Sequence, residues 1–379
     1  MPTIQSTQHV DWTMTNGVDS SIDVTVSSMD MDHTIGVLDS YLYNNNNCSR
    51  TRCCGGMLTD TTYNVCRNST VGNHGGTIDL CEWSTDVDVW HYPAETSNTS
   101  TDVDEVTITD ITSTTYATAH IVGARQGGSD IQQGTMLGIR FKSGSTTAVE
   151  VCSGTGGNIG VNLYGIMIVR WPSDSTVQYV ETSIGATDVS FNQAISAVAL
   201  ASTISFSGWG QLTSTDGEGH DNIMWRVRQT TTTNIAWDKA KASVTNSSGT
   251  AYTFTVTHAD FVVEQVDASI GNTVSTENTD ITAVSSLTEA LAFTTGAHSM
   301  TLGKDTSTGT LGGQWNYRTE FLDTDTITVN QSTGYSASTR TGRVLILTTA
   351  AEPPAGGAAP RLVNGGLVDR GLVNSGLVA

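Results

Sequence analysis

One strand grammar occurs four times along this chain, and no other feature restricts its fold as strongly. Four apolar runs, Thr77-Ile78-Asp79-Leu80-Cys81, Ile166-Met167-Ile168-Val169, Phe254-Thr255-Val256-Thr257 and Val344-Leu345-Ile346-Leu347, have centres at Leu80, Ile168, Val256 and Ile346, spaced 88, 88 and 90 residues apart. A fixed period of this length marks an arrayed architecture in which each copy is one supersecondary block. It describes building material rather than a chain folded round one reaction centre.

Each copy opens with a short alternating run: Val24-Thr25-Val26, Val106-Thr107-Ile108, Val189-Ser190-Phe191 and the weaker Asp280-Ile281-Thr282-Ala283-Val284. A second apolar run follows at Ile35-Gly36-Val37-Leu38, His120-Ile121-Val122, Ile204-Ser205-Phe206 and Leu291-Ala292-Phe293. Three copies then carry an arginine strand, at Arg140, Arg226 and Arg318, and all four a Thr-led strand starting at Thr62, Thr147, Thr233 and Thr326. Five period-2 runs bounded by Gly, Asn, Asp and Ser turns predict half-buried antiparallel strands. The predicted fold is all-β: four tandem small antiparallel β-sandwich units at 1–86, 87–178, 179–262 and 263–349, then a linker and tail at 350–379. The first unit is the most divergent.

Composition agrees. Only 14% of the 379 residues are charged, Thr and Ser are abundant, and no stretch sustains helical periodicity. Units of this size have thin cores and must lean on one another or on other subunits. The net charge of -20, from 37 acidic and 17 basic residues, disfavours a nucleic-acid surface and suits an outward-facing or simply soluble one. No run approaches the ~18 apolar residues of a membrane span. Met1 to His9 shows no basic stretch followed by an apolar core, so synthesis and assembly in the cytoplasm are expected. The sequons at Asn68 and Asn246 then reflect only how common Asn and Ser are.

Five of the six cysteines, Cys48, Cys53, Cys54, Cys66 and Cys81, lie in the first unit, and Cys152 in the second. Cys48-X4-Cys53 alone resembles a zinc knuckle, and no second knuckle pairs with it. A disulfide from the Cys48 to Cys54 loop to Cys66 or Cys81 is the stronger expectation, with small buried thiols as the alternative. The eight histidines form neither His-X-X-X-His nor His-Glu-X-X-His, and the Gly154 to Gly157 and Gly356-Gly357 segments lack the Lys-Ser/Thr of a phosphate loop. Ser207-Gly208-Trp209-Gly210 is no nucleophile elbow. Acidic groups around Asp102, Asp104 and Glu105, and at Asp323 and Asp325, read as solvated turns. Trp83, Trp171, Trp209, Trp225, Trp237 and Trp315 either pack cores or form a sugar-stacking surface, with packing favoured by their place in or beside strands. The recurring arginines are expected to pair with a carboxylate or carbonyls across each unit. No catalytic residue, cofactor or metal is expected.

After Glu352-Pro353-Pro354, a Gly/Ala/Pro linker leads into a pentapeptide repeat that places Leu362-Val363, Leu367-Val368, Leu372-Val373 and Leu377-Val378 between Asn/Asp and Gly turns. This pattern predicts a coil of β-solenoid or an extended docking tail. A coil of ~20 residues cannot bury its own leucines, so a neighbouring subunit is the expected partner.

Repeated Thr-rich β units closing on strands such as Tyr164-Gly165-Ile166-Met167-Ile168-Val169-Arg170-Trp171, followed by this Gly-Leu-Val-Asn tail, resemble structural proteins of tailed bacteriophages, marine ones especially. The resemblance implies a virion component, a capsid decoration, tail or fibre protein that contacts other virion subunits and itself, as a homo-oligomer such as a trimer. It carries over no catalytic residue. A receptor-binding fibre or carbohydrate-binding adhesin, touching a host-surface glycan, is the alternative. A double jelly-roll major capsid protein is the structural rival, because two pairs of units can be counted as two larger sandwiches.

Overall fold

The computed structural model describes residues 2–15, 18, 20–42, 53–67, 74–96, 103–125, 138–152, 163–184, 188, 190–213, 225–239, 243–245, 251–253, 255–264, 268–276, 280–282, 290–294, 299–302, 317–321, 326–331, 338–349, 362–363 and 366–367. The protein is all-β, and the described residues include no α-helix. A first set of strands comprises Ile4–Met14 (β1), Ser21–Thr25 (β2), Thr34–Leu42 (β3), Cys53–Thr59 (β4), Thr62–Arg67 (β5) and His74–Trp83 (β6). A second comprises Asp88–Thr96 (β7), Val103–Thr107 (β8), Ala117–Arg125 (β9), Gly138–Phe141 (β10), Ala148–Cys152 (β11) and Leu163–Arg170 (β12). The third runs through Thr176–Ile184 (β13), Ser190–Ala194 (β14), Thr203–Thr213 (β15), Trp225–Thr231 (β16), Asn234–Lys239 (β17), the small hairpin Ser243–Thr245 (β18) and Ala251–Thr253 (β19), and Thr255–Glu264 (β20). The fourth contains Ala268–Thr276 (β21), Asp280–Thr282 (β22), Ala290–Thr294 (β23), Ser299–Leu302 (β24), Tyr317–Phe321 (β25), Thr326–Gln331 (β26) and Ser338–Thr349 (β27).

One antiparallel pairing scheme recurs in all four sets. The long first strand, the closing strand and the third strand make one sheet, in the orders β1-β6-β3, β7-β12-β9, β13-β20-β15 and β21-β27-β23, with β24 also beside β27. The second, fifth and fourth strands make the other, in the orders β2-β5-β4, β8-β11-β10, β14-β17-β16 and β22-β26-β25. The sequence grammar misses the leading strand of each set. β1 reads Ile-Gln-Ser-Thr-Gln-His-Val-Asp-Trp-Thr-Met, and its middle is only partly buried, so it carries little period-2 alternation. The divisions at 178/179 and 262/263 fall inside β13 and β20.

The closing strands β6 and β12 are not half-buried. Each is central in its sheet, and every residue of β6 except Glu82 is buried, including Thr77 and Asp79. Tyr164 to Val169 of β12 are likewise all buried. A strand covered on both faces shows a continuous apolar run instead of alternation. This displaces the third closing strand's centre. Leu80 faces Gln8 and Gly36, and its counterpart facing Gln178 and Ser205 is Val262, six residues beyond Val256. Phe261, Val262 and Val263 of β20 are buried.

Between the second and third strands, three sets share a further device. Val26 and Met29, Ile108 and Ile111, and Ile195 and Val198 plug the core, each side chain buried. Their backbone N–H groups donate to carbonyls of the turn between the fourth and fifth strands: Val26 to Thr61 at 3.0 Å and Met29 to Asp60 at 2.9 Å, Ile108 to Thr147 at 2.9 Å and Ile111 to Thr146 at 3.1 Å, Ile195 to Thr233 at 2.9 Å and Val198 to Thr232 at 2.8 Å. A residue of the leading strand clamps the arch. Gln8 Oε1 accepts from Ser27 N–H at 2.8 Å while its Nε2 donates to Ser27 O at 3.0 Å, and Gln178 does the same to Ser196 at 2.8 and 3.2 Å. In the second set Thr109 N–H donates to the Tyr92 hydroxyl at 2.7 Å. The 3-10 turns Met31–His33, Thr114–Tyr116 and Leu200–Ser202 then lead into β3, β9 and β15. Burial of two aliphatic plugs contributes roughly 1.5–3 kcal/mol each. Their backbone bonds remove the cost of hiding unpaired N–H groups.

Residues 350–379 form a separate unit. Within it Leu362–Val363 (β28) and Gly366–Leu367 (β29) pair antiparallel, Val363 opposite Gly366.

Candidate functional site

The most heavily built region is the seam between the first and second sets, where most of the cysteines singled out from sequence fall. β4 pairs with β5 on one side and meets β9 at Cys54 opposite Gly123 on the other, so two three-stranded sheets merge into the six-stranded order β2-β5-β4-β9-β12-β7. The approach demands glycine at two places. Gly123 has φ +77°, and a Cβ there would lie 2.1 Å from the Cys53 carbonyl oxygen. On β12, a Cβ at Gly165 would lie 2.4 Å from the Gly55 carbonyl oxygen, beside a register shift between Tyr164 and Ile166. Backbone atoms cannot yield as a side-chain tip can, so any larger residue pries the sheets apart.

Cys54 and Cys66 sit directly opposite each other on β4 and β5 and form a disulfide, with Cα atoms 5.3 Å apart and both residues buried. Cys53 and Cys81 are free buried thiols. Burial pushes the Cys53 thiol up to about 12 against the pull of the Arg67 guanidinium, and pushes Cys81 well above its usual value, with Glu82 adding to it. Protonated thiols are poor nucleophiles and poor metal ligands. His74 Nδ1 lies 4.0 Å from Cys53 Sγ. Among the described residues, no group of three or more His, Cys, Asp or Glu side chains gathers where an ion would sit. Cys48 lies outside the described residues.

The histidines act as fasteners. His33 Nδ1 donates to the Val87 carbonyl at 2.5 Å and His91 Nε2 to the Thr34 carbonyl at 2.8 Å, so two imidazoles stitch the first set to the start of the second. Burial lowers His91 to about 4, its bond to Thr34 only partly opposing this. His120, lowered by burial to about 3, shares a 2.7 Å bond with Thr118 Oγ1, which also accepts from Trp171 Nε1 at 3.1 Å. His9 Nδ1 lies 2.5 Å from the carboxylate of buried Asp79.

Trp83 and Trp171 are buried edge to face, ring centroids 5.5 Å apart, at the same seam, so these two rings pack a core and offer no sugar platform. The side chains of Trp209, Trp225 and Trp237, and Trp315 itself, lie outside the described residues. Arg140 pairs with Glu150 at 2.8 Å and reaches Glu181 at 3.5 Å, tying β10 to β13 of the next set. The side chains of Arg226 and Arg318 lie outside the described residues. Asp104 is buried and accepts from the Tyr164 hydroxyl at 2.6 Å, while Glu105 pairs with Lys142 at 2.6 Å. Asp102, Asp323 and Asp325 lie outside the described residues. Of the tail residues, Leu362, Val363 and Leu367 lie in the pair β28 and β29, and Val368, Leu372, Val373, Leu377 and Val378 lie outside the described residues.

The sequence grammar overlooked the arch plugs and the seam glycines. The plugs were findable. Val26-Ser27-Ser28-Met29, Ile108-Thr109-Asp110-Ile111 and Ile195-Ser196-Ala197-Val198 repeat an aliphatic, hydroxyl, any, aliphatic pattern, and Val284-Ser285-Ser286-Leu287 supplies a fourth copy whose structure lies outside the described residues. Among the described residues, the polar groups at the seam serve to join strands and sets. Neither a protein-family model nor a curated protein matches this chain.

Proposed function

We propose that the chain is a non-enzymatic structural protein of a virus particle, a surface-exposed capsid decoration or tail-associated component built from four tandem β-sandwich units. Neighbouring subunits and the C-terminal tail hold it in place, and it works as a homo-oligomer. The observation that carries this reading is the fourfold recurrence of one two-sheet pairing scheme, with a clamped arch in three of the sets, which supplies surface without convergent chemistry among the described residues. Six strands per scheme favour four small sandwiches over two eight-stranded jelly rolls. The particle assignment rests on the resemblance of the closing strands and the Gly-Leu-Val-Asn tail to tailed-phage structural proteins. The charge of -20 suits an outer surface that keeps particles apart.

The test is assembly. Full-length protein should sediment as a defined oligomer, and removal of residues 361–379 should dissolve it to single chains. An oligomer unchanged by the deletion removes the tail from the role, and release of sugars from a glycan substrate overturns the structural reading.

A further inference from the structure

The way successive sets meet points to a closed arrangement. At the first junction β4, the fourth strand of its set, lies along β9, the third strand of the next. At the second, β10 lies along β15, again a fourth strand against the next set's third. Each following set also rests its leading strand on the preceding 3-10 turn: β7 on Met31–His33, β13 on Thr114–Tyr116 and β21 on Leu200–Ser202. At the third junction β16 meets β27, the strand paired with β23. The decisive contact is the one with no chain connection behind it. β25, the fourth strand of the fourth set, lies against β3, the third strand of the first. Around it β23 touches β1 and β6, and β27 touches β1.

We infer that the outer edge of the third strand is a docking edge for another set's fourth strand, and that the partner seated on β3 is the chain's own fourth set. This rests on the four-unit reading above. A row in which a fourth strand docks on the next set's third strand, as at the first two junctions, leaves a fourth strand open at one end and a third strand open at the other, and such ends add further copies head to tail. Seating β25 on β3 uses both ends inside one molecule. Contacts with neighbouring chains then fall to the outer faces and the tail, so the assembly is finite instead of a filament of seams.

Photo-crosslinking of the full chain tests this. With p-benzoylphenylalanine in place of Tyr317 on β25, irradiation should give a product of single-chain mass whose linked peptide lies within residues 34–42 or 74–83. The same probe in place of Phe141 on β10, whose ring packs 6.1 Å from Phe261, should capture residues 203–213 or 255–264 and serves as the control for the seam itself. A Tyr317 product of doubled mass places a second copy on β3 and overturns the inference, as does a product confined to residues 263–349 while the control succeeds. Loss of the Phe141 product as well would instead remove the four-unit reading beneath it.

Discussion

Acid should weaken the joined first and second sets well before carboxylates titrate, because two of their histidines are held neutral by burial. His91 and His120 have folded values lowered to about 4 and about 3, against an ordinary value near 6.5. The unfolded chain therefore takes up a proton at each site from about pH 6.5 downward, and the folded chain does not. This stabilisation is complete above pH 6.5 and is lost as pH falls toward 4 for His91 and 3 for His120. Each contributes a slope of about 1.4 kcal/mol per pH unit in that window, so the pair costs about 4 kcal/mol by pH 5, and about 3 and 5 kcal/mol respectively when fully titrated. Against a typical total of roughly 5–15 kcal/mol this is a large share. Urea unfolding at pH 7.5 and pH 5, followed by tryptophan fluorescence, reads it where Trp83 and Trp171 pack together. The midpoint should drop at pH 5, and the His120→Gln variant, whose amide keeps a partner for Thr118, should lose about half of that drop. A His120→Gln protein with the full wild-type pH dependence refutes the assignment.

Three further outcomes follow from the same geometry. Replacing both Cys54 and Cys66 with alanine should cost about 3 kcal/mol for a loop of this length, read as a fall in Tm that reductant does not deepen, while Cys53 and Cys81 should resist alkylation until the protein unfolds. Gly123→Ala should destabilise the first two sets by about 3 kcal/mol or more, because the methyl meets the Cys53 carbonyl at a left-handed φ; a chemical-denaturation midpoint equal to wild type would contradict the seam. Gln178→Ala should cost about 1–2 kcal/mol by freeing both polar groups of Ser196, with a matching loss from Gln8→Ala at Ser27.

What was legible in the sequence follows burial. β5, with Tyr63 and Val65 buried and Thr62 and Asn64 only partly so, alternates as a strand covered on one face should, and it was read correctly as Thr-led. The leading strand β1 escapes because its partly buried middle erases the period. The centre of β20 is misplaced because the alternating Phe254-Thr255-Val256-Thr257 reads as a half-buried strand, whereas the register position that corresponds to Leu80 is Val262, between buried Phe261 and Val263. The even spacing of 88, 88 and 90 residues thus concealed a real irregularity in the third set. Gly123 and Gly165 had no local signal at all. Their need for hydrogen in place of a side chain arises from backbone about 40 to 110 residues away, and only the assembled seam shows it.

The divergence of the first set becomes intelligible through what surrounds it. Among its described cysteines, Cys54 and Cys66 cross-link β4 to β5, the strands that carry the merged sheet into β9. Gly55 and Gly56 lie on the same strand, receiving Gly165 and Pro93 of the second set. Its other sheet presents β3 to β25. Like the second set, which meets its neighbours through β9 and β10, the first holds a neighbour on each of two different strands, and its β4 edge is the one that carries the continuous six-stranded sheet. A covalent rung placed one residue from the Cys53 carbonyl, where Gly123 makes its closest approach, restrains the part of β4 that has partners on both sides. The cysteine enrichment read from sequence is therefore best understood as reinforcement of a junction, with the thiols on either side of it kept inert by burial.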